Sequence, residues 1–442
     1  MAHSYIIDLS SSFRRLCLAV PLTFVLVLHG CALIKTVPPT YPPPQTVSEE
    51  KVERNEFSVA KEDDIIGQLV FVRLEKGDTL PDMARHFGLG ISEIIAANPG
   101  VDMWAPEDGE RIVLPLSHIL PDSARKGIVI NLPAMRLFHY KENGKSSLFV
   151  STYPVGVGTT ERPSPTGQMY VQRKMVRPTW YVPASIAQDH RKKGDPLPAK
   201  VPPGPENPLG EYALYLSKST YLMHGTNKPY SIGLNATNGC IRLYPEDVKK
   251  LYDSTPINTP VRILNQPYLI GQRNGVMHME VHAPLEGSGT GELEKTYARL
   301  RNIEKKSGRA VDWKRVEKVV TEAQGIPVPI SADSTEEENR TSKAVEVKHP
   351  DRLYGRPEVP ELKMDGWYVL AADMHDKVKA MRLAAIINHQ GPPIPTRVLP
   401  KKDGYRVISG PFNDVNQARD AARRLKIDLD IEGIVIEPAE KK

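Results

Sequence analysis

Residues 221–245 read YLMHGTNKPYSIGLNATNGCIRLYP, and their chemistry centres on Cys240. A free thiol with pKa about 8.5 is only a few per cent thiolate at neutral pH, so a cysteine nucleophile needs a base. It also needs backbone N–H groups aimed at a developing oxyanion, and a backbone shape that presents the sulfur. Gly239 answers both needs, because glycine permits a tight approach and leaves neighbouring amides unobstructed. His224 ends a short apolar strand, 221–224, at a Gly-Thr turn, a natural place for an exposed imidazole. A helix is expected over 245–252, directly after the Cys240 turn.

Working outward, the chain of 442 residues holds three cysteines. Cys17 lies in an export signal: Arg14 and Arg15 precede an uncharged apolar run, 16–28, too short for a comfortable membrane span. The run ends at Leu28-His29-Gly30-Cys31, which resembles a bacterial lipobox, with His29 where a small or apolar residue is usual. The resemblance implies that Cys31 is diacylated and anchors the chain to a membrane. An unlipidated secretory signal or an uncleaved anchor is the alternative. Ala32 stands where an inner-membrane retention signal would have Asp, which points to the outer membrane. Cys240 is then left with no disulfide partner, a liability in an oxidising compartment unless the thiol is used or buried. The net charge of +5 is mild, with no concentrated basic face, so nucleic acid is not an expected partner. An acidic polymer or an anionic membrane surface would still attract such a chain.

The 40 prolines cluster between candidate domains, so a multidomain chain on linkers is expected. Residues 1–30 read as a lipoprotein signal peptide and 31–68 as a proline-rich and polar linker. Residues 69–116 read as a small βααβ unit. Its second helix is capped by Ser92 and stopped by Asn98-Pro99-Gly100. Residues 125–285 read as one β-rich domain, with an Asn143-Gly144 hairpin turn and a long proline-rich loop over 193–210. Residues 286–362 form a connector. It is helical first, through Leu293, Tyr297, Leu300 and Ile303 and then Trp313, Val316, Val320 and Ala323 after an Asp312 cap, and disordered over 331–360. Residues 363–438 alternate strand and helix, with Val378, Met381 and Ala385 on one helix face.

Three resemblances emerge. His224-Gly225-Thr226 followed by Thr237-Asn238-Gly239-Cys240-Ile241-Arg242-Leu243 resembles the active-site signature of the YkuD-type L,D-transpeptidases. GIVINLPAMRLFHY at 127–140, PSPTG at 163–167, PTWYVP at 178–183 and PPGPENPLG at 202–210 extend the likeness, to the Gram-negative branch. KGDTL at 76–80, ISEIIAANPGVD at 91–102 and RIVLP at 111–115 resemble a LysM domain, which binds the N-acetylglucosamine backbone of peptidoglycan or chitin; a packed spacer is the alternative. Tyr405-Arg406-Val407 with Gly410-Pro411-Phe412 resembles the second half of a SPOR domain, which binds glycan strands; Leu370-Ala371-Ala372 departs from the first half. The implied fold is multidomain: a β-rich L,D-transpeptidase catalytic domain flanked by a small βααβ LysM-like domain and a C-terminal α+β SPOR-like domain.

The first resemblance also implies roles. Cys240 is the nucleophile and His224 its base, with the Gly225 carbonyl holding the imidazole tautomer. The amides of Gly239 and Cys240 line an oxyanion hole. Thr226, Thr237 and Asn238 (where the family often has His) lie at the substrate, and Arg242 positions a substrate carboxylate or the loop. The implied reaction is attack on the third residue of a peptidoglycan tetrapeptide stem, release of D-Ala and a thioester that an amine resolves. That amine is a diaminopimelate side chain, giving a 3→3 cross-link, or a lysine of a Braun-type lipoprotein. Water would give an L,D-carboxypeptidase. No cofactor or metal is implied, and the implied location is the periplasm. Two rivals are a non-catalytic wall-binding scaffold and a zinc enzyme built on His278-Met279-Glu280-Val281-His282. The latter segment alternates like a strand, where a zincin needs a helix with Glu directly after the first His, so His278 and His282 read as surface strand residues.

Overall fold

The computed structural model describes residues 46–60, 62–143, 147–218, 220–285, 291–332 and 345–438. The export signal, Cys31, the proline run before residue 46 and Gly144 of the hairpin turn lie outside them.

A nine-stranded sheet carries the Cys240 region. In spatial order its strands are Ile241–Arg242, Leu222–His224, Tyr212–Leu216, Gly167–Val176, Pro260–Leu264, Gly127–Asn131, Arg136–Asn143, Ser147–Pro154 and Glu56–Ala60. Successive side chains point to opposite faces of a strand, so a nearly continuous apolar run is buried on both. In Gly127–Asn131, Ile128 and Ile130 enter a core with Leu214, Met223, Ile241 and Val261. Val129 enters a second core with Phe57, Phe138 and Val150. The last strand corrects the expectation of a linker over 31–68. Phe57 and Val59 alternate with Glu56 and Ser58, and both are buried as Glu56–Ala60 pairs antiparallel with Ser147–Pro154. Charged neighbours on both sides conceal this short alternation in the composition.

The βααβ unit comprises Val70–Arg73, Leu80–His86, Ile91–Ala97 and Arg111–Leu114. Thr79 Oγ1 caps its first helix by accepting the Asp82 N–H. Ser92 does not cap the second. The cap is Gly90, whose N–H donates to the Glu93 carboxylate at 2.6 Å, while the Ser92 hydroxyl donates to the Gly233 carbonyl. Glu93 also holds Arg136 of the large sheet in a two-pronged pair, 2.7 Å at each contact. The expected disorder over 331–360 is corrected in part. Val345–Val347 adds a parallel strand between Val70–Arg73 and Thr46–Val47, and Val347 and Leu353 are buried in the βααβ core. Glu346, which reads as solvated charge, bridges Arg73 and Arg111.

Helices Gly291–Ser307 and Trp313–Glu322 cover a small sheet of Tyr268–Arg273, Val276–Val281 and Val328–Pro329, and Asp312 caps the second by accepting the Arg315 N–H. Those surroundings change the reading of the histidine pair. His282 is buried with Nε2 2.7 Å from Glu280, and His278 is half-buried against the Val276 carbonyl; neither is a surface residue. Alternation alone does not say which strand face a distant segment covers.

The C-terminal sheet runs Thr396–Lys401, Gly404–Phe412, Trp367–Met374, Ile434–Ile436, under helices Lys377–Asn388 and Val415–Leu429. The first helix is apolar on more than one side. Ala380, Ala384 and Ile387 are its buried residues, whereas Val378 is 50% exposed, correcting the expected face. Met381 and Ala385 instead line a cavity of about 300 Å³ shared with Thr79 and Trp104 of the βααβ unit. There His389 Nε2 lies 3.1 Å from the buried Asp82 carboxylate, its ring edge-on to Tyr230.

Candidate active site

Two short strands place the candidate side chains. Leu222–His224 and Ile241–Arg242 pair in parallel, with Met223 opposite Ile241 and His224 opposite Arg242. Met223 and Ile241 point into the core, both essentially inaccessible. Alternation then sends Leu222, His224, Cys240 and Arg242 to the other face, where all four line one cavity of about 500 Å³.

His224 Nδ1 lies 2.6 Å from the Gly225 carbonyl. The ring proton sits on that nitrogen, and Nε2 keeps its lone pair. The imidazole is 4% exposed, so the expectation of an exposed ring at the strand end is corrected: the cavity wall covers it. Burial, and next the Arg242 charge, push His224 down to about 3, against the pull of the Gly225 and Pro208 carbonyls. The ring is therefore neutral across the physiological range. Cys240 is half-buried, and burial pushes its thiol above the ordinary value, opposed by the Leu222 N–H and by Arg242. Arg242 donates to Ser231 Oγ at 2.8 Å, and its buried Nε has no partner among the described residues. Burial lowers this guanidinium to about 10, so it stays charged at neutral pH.

Gly239 has φ +100°, and a Cβ there would lie 2.8 Å from the Tyr221 ring and 3.1 Å from the Pro163 carbonyl. Only glycine makes this turn without strain. Thr237 holds it from inside: its hydroxyl donates to the Cys240 carbonyl at 2.6 Å and accepts the Gly239 N–H at 3.1 Å. The expected pair of oxyanion amides is thus reduced. The Gly239 N–H is already engaged, leaving the Cys240 N–H. Thr226 is also displaced from its expected role. It is buried outside the cavity lining, and its Oγ1 accepts the Lys228 N–H at 2.9 Å, shaping the turn after His224. Asn238 is exposed at the cavity rim, where its Oδ1 accepts from Arg162.

Across the cavity lies a segment to which the sequence reading assigned no structure before residue 193 and a loop after it. Trp180–Tyr181 pairs with Lys200–Val201 around the helix Ala184–Lys192. Asn207, fully buried, staples this lid by donating to the carbonyls of Pro178, Val201 and Pro202. Arg173 and Arg177 join Arg242 in the lining, which among the described residues contains no carboxylate.

Residues 125–263 match the family model of the L,D-transpeptidase catalytic domain, and residues 363–437 match that of the SPOR domain. The probable L,D-transpeptidase ErfK/SrfK of Salmonella typhimurium is 38% identical over 279 residues, which cover 61% of this chain and 88% of that protein. This chain belongs to the L,D-transpeptidase family. The probable L,D-transpeptidase YbiS of Escherichia coli is 34% identical over 275 residues, 60% of this chain and 89% of that protein. The solved catalytic domain of the E. faecium L,D-transpeptidase aligns over 33% of this chain and 100% of its own, at 20% identity and a TM-score of 0.25.

In this L,D-transpeptidase, sequence reasoning missed Arg162, Arg173 and Arg177, which are scattered through 162–177 with no periodicity that marks a shared destination. The lid helix had a local signal, Pro183 followed by ASIAQDHRK, which is compatible with a helix begun after proline.

Proposed function

We propose that Cys240 transfers the acyl group of a peptidoglycan stem peptide. The observation that supports this most is the shared face of the Leu222–His224 and Ile241–Arg242 ladder, which presents a thiol, a neutral imidazole and a charged guanidinium to one lidded cavity. Cys240 Sγ attacks the carbonyl of the third residue of a tetrapeptide stem while its proton passes to His224 Nε2. The S–C bond forms, and the oxyanion is met by the Cys240 N–H. The C–N bond to D-Ala then breaks, and His224 returns the proton to the leaving amine. An amine attacks the thioester, the C–S bond breaks and the thiol is restored. Arg173, Arg177 and Arg242 suit the carboxylates of stem peptides. Because burial raises the thiol, the sulfur reacts through its base rather than as a standing thiolate.

The acceptor is a diaminopimelate amine or a lipoprotein lysine. The βααβ unit, with its LysM-like sequence, and the SPOR domain hold glycan. Cys31 carries the lipid that places the enzyme in the periplasm at the outer membrane.

The test uses the purified full chain and a disaccharide tetrapeptide. Wild type releases D-Ala and forms 3→3 dimers, or with a lipoprotein C-terminal peptide forms the tripeptide adduct. Cys240→Ala does neither, and His224→Ala is slower by at least about a hundredfold. D-Ala release by Cys240→Ala sinks the nucleophile. Release with no dimer or adduct turns the reading to an L,D-carboxypeptidase.

A further inference from the structure

The lid helix Ala184–Lys192 buries none of its residues, so packing alone does not hold it over the cavity. Ile186 faces the cavity, and Asp189 and His190 fasten the helix by polar contacts. In its C-terminal half Asp189 Oδ2 accepts from Arg162 Nη2 at 2.6 Å. The other prong of the same guanidinium, Nη1, donates to Asn238 Oδ1. Asn238 lies in the turn that ends at Cys240. One planar fork therefore joins the lid to the nucleophile turn, a geometry that a point charge on a flexible stem does not reproduce.

The base of that fork is fixed to Thr237, the residue before Asn238. The Arg162 N–H donates to the Thr159 carbonyl at 3.2 Å, and the Thr159 N–H donates to the Thr237 carbonyl at 3.0 Å. Gly158 pairs with Thr237, and its N–H donates to Ser164 Oγ at 2.9 Å. Arg162 is thus mounted on the backbone it braces, and its reach to Asp189 is set from there. The next residue of the helix, His190, has a separate fastening. Asp195 lies 3.1 Å from His190 Nδ1 and accepts from Arg423 of the C-terminal domain at 3.0 Å.

We propose that Arg162 is a positioning residue for acyl transfer, holding the lid helix through Asp189 and the Cys240 turn through Asn238 at one spacing. It acts through these partners and does not touch the reacting atoms. The inference rests on Cys240 as the nucleophile.

The test measures D-Ala release by the full chain for wild type, Arg162→Ala, Arg162→Lys, Asp189→Ala and the double variant Arg162→Ala/Asp189→Ala. Misplacement of a reacting group by about 1 Å costs up to a hundredfold, and loss of both arms is expected to lower kcat/KM about tenfold. Asp189→Ala, which frees only the lid, raises KM with kcat nearly unchanged. Arg162→Ala raises KM and lowers kcat. The double variant is no worse than Arg162→Ala, because both remove the same contact. Arg162→Lys falls between wild type and Arg162→Ala. The thermal midpoints of the single variants match that of wild type, since the pair is half-exposed. An Arg162→Ala enzyme with kcat and KM unchanged, or a double variant whose losses multiply, overturns the inference and leaves Cys240 in place. Should Arg162→Ala not fold, Asp189→Ala and Arg162→Lys decide it: unchanged constants in both overturn it. A wild-type chain that releases no D-Ala strikes instead at the acyl-transfer reading.

Discussion

Arg242 sits opposite His224 across a parallel ladder, and its guanidinium is one of the two influences that keep the imidazole neutral. In the proposed role of base the ring must hold a lone pair before it can take a proton, so the cation beside it extends the pH range in which the ring is ready. The same cation lowers the thiol, against the burial that raises it.

The pH dependence of the chemistry follows. With His224 held down to about 3, the imidazolium that cannot accept a proton forms only in strong acid. The thiol loses its proton only above its ordinary alkaline value. Between these limits kcat/KM for D-Ala release is expected to stay level, from about pH 5 to about pH 8. A profile falling on the acid side with a midpoint near the ordinary imidazole value of about 6.5 would mean that the ring is solvated.

A carbapenem should acylate the proposed site once. Its strained carbonyl enters the cavity that holds Cys240, the single cysteine among the described residues. Intact-mass spectrometry of wild type is expected to show one adduct, and of Cys240→Ala none. An adduct that survives the substitution places the reactive group elsewhere.

Asp247 on the helix Pro245–Ser254 offers a stability test. Burial, and next the Glu246 charge, raise its carboxyl from 3.8 to about 7, while Lys250, Arg136 and Arg85 oppose them. Between those values the unfolded chain has released this proton and the folded chain has not. Stability from this group is therefore complete below about pH 4 and declines as pH rises towards 7. Asp247→Asn removes the titration. Its gain over wild type should be near zero at pH 4 and reach up to about 4 kcal/mol above pH 7. Urea midpoints at the two pH values measure it, and an equal gain at both would refute the account.

Glu93→Ala should be costly. Arg136 is 1% exposed and pairs with Glu93 through both prongs. Removing one partner of a buried pair leaves an uncompensated charge and costs about 3–5 kcal/mol. Because the pair joins the βααβ unit to the large sheet, limited proteolysis should also cut the variant between them first. A midpoint shift within error of zero would show that water reaches Arg136.

Local information in the sequence determined much of this protein. Spacing and caps placed several helices, as at Asp312, where a side-chain oxygen meets an N–H three residues on. The stretch around His224 and Cys240 displayed the proposed chemistry because both residues lie within seventeen positions and glycine marks each turn. Tertiary structure alone decided what depends on partners far along the chain. His224 is buried against groups from other segments, the Pro208 carbonyl and the Arg242 guanidinium among them. Val345–Val347 becomes a strand only because Val70–Arg73 offers an open edge, and Glu93 meets Arg136 only once two units have packed. Ser92 loses the cap to Gly90 for the same reason: Glu93 closes on the Gly90 amide while Ser92 turns to Gly233. A residue's local preference is written in its neighbours. Which face is covered, and which charge is paired, follows from how separate elements stack, and short-range periodicity carries no record of that.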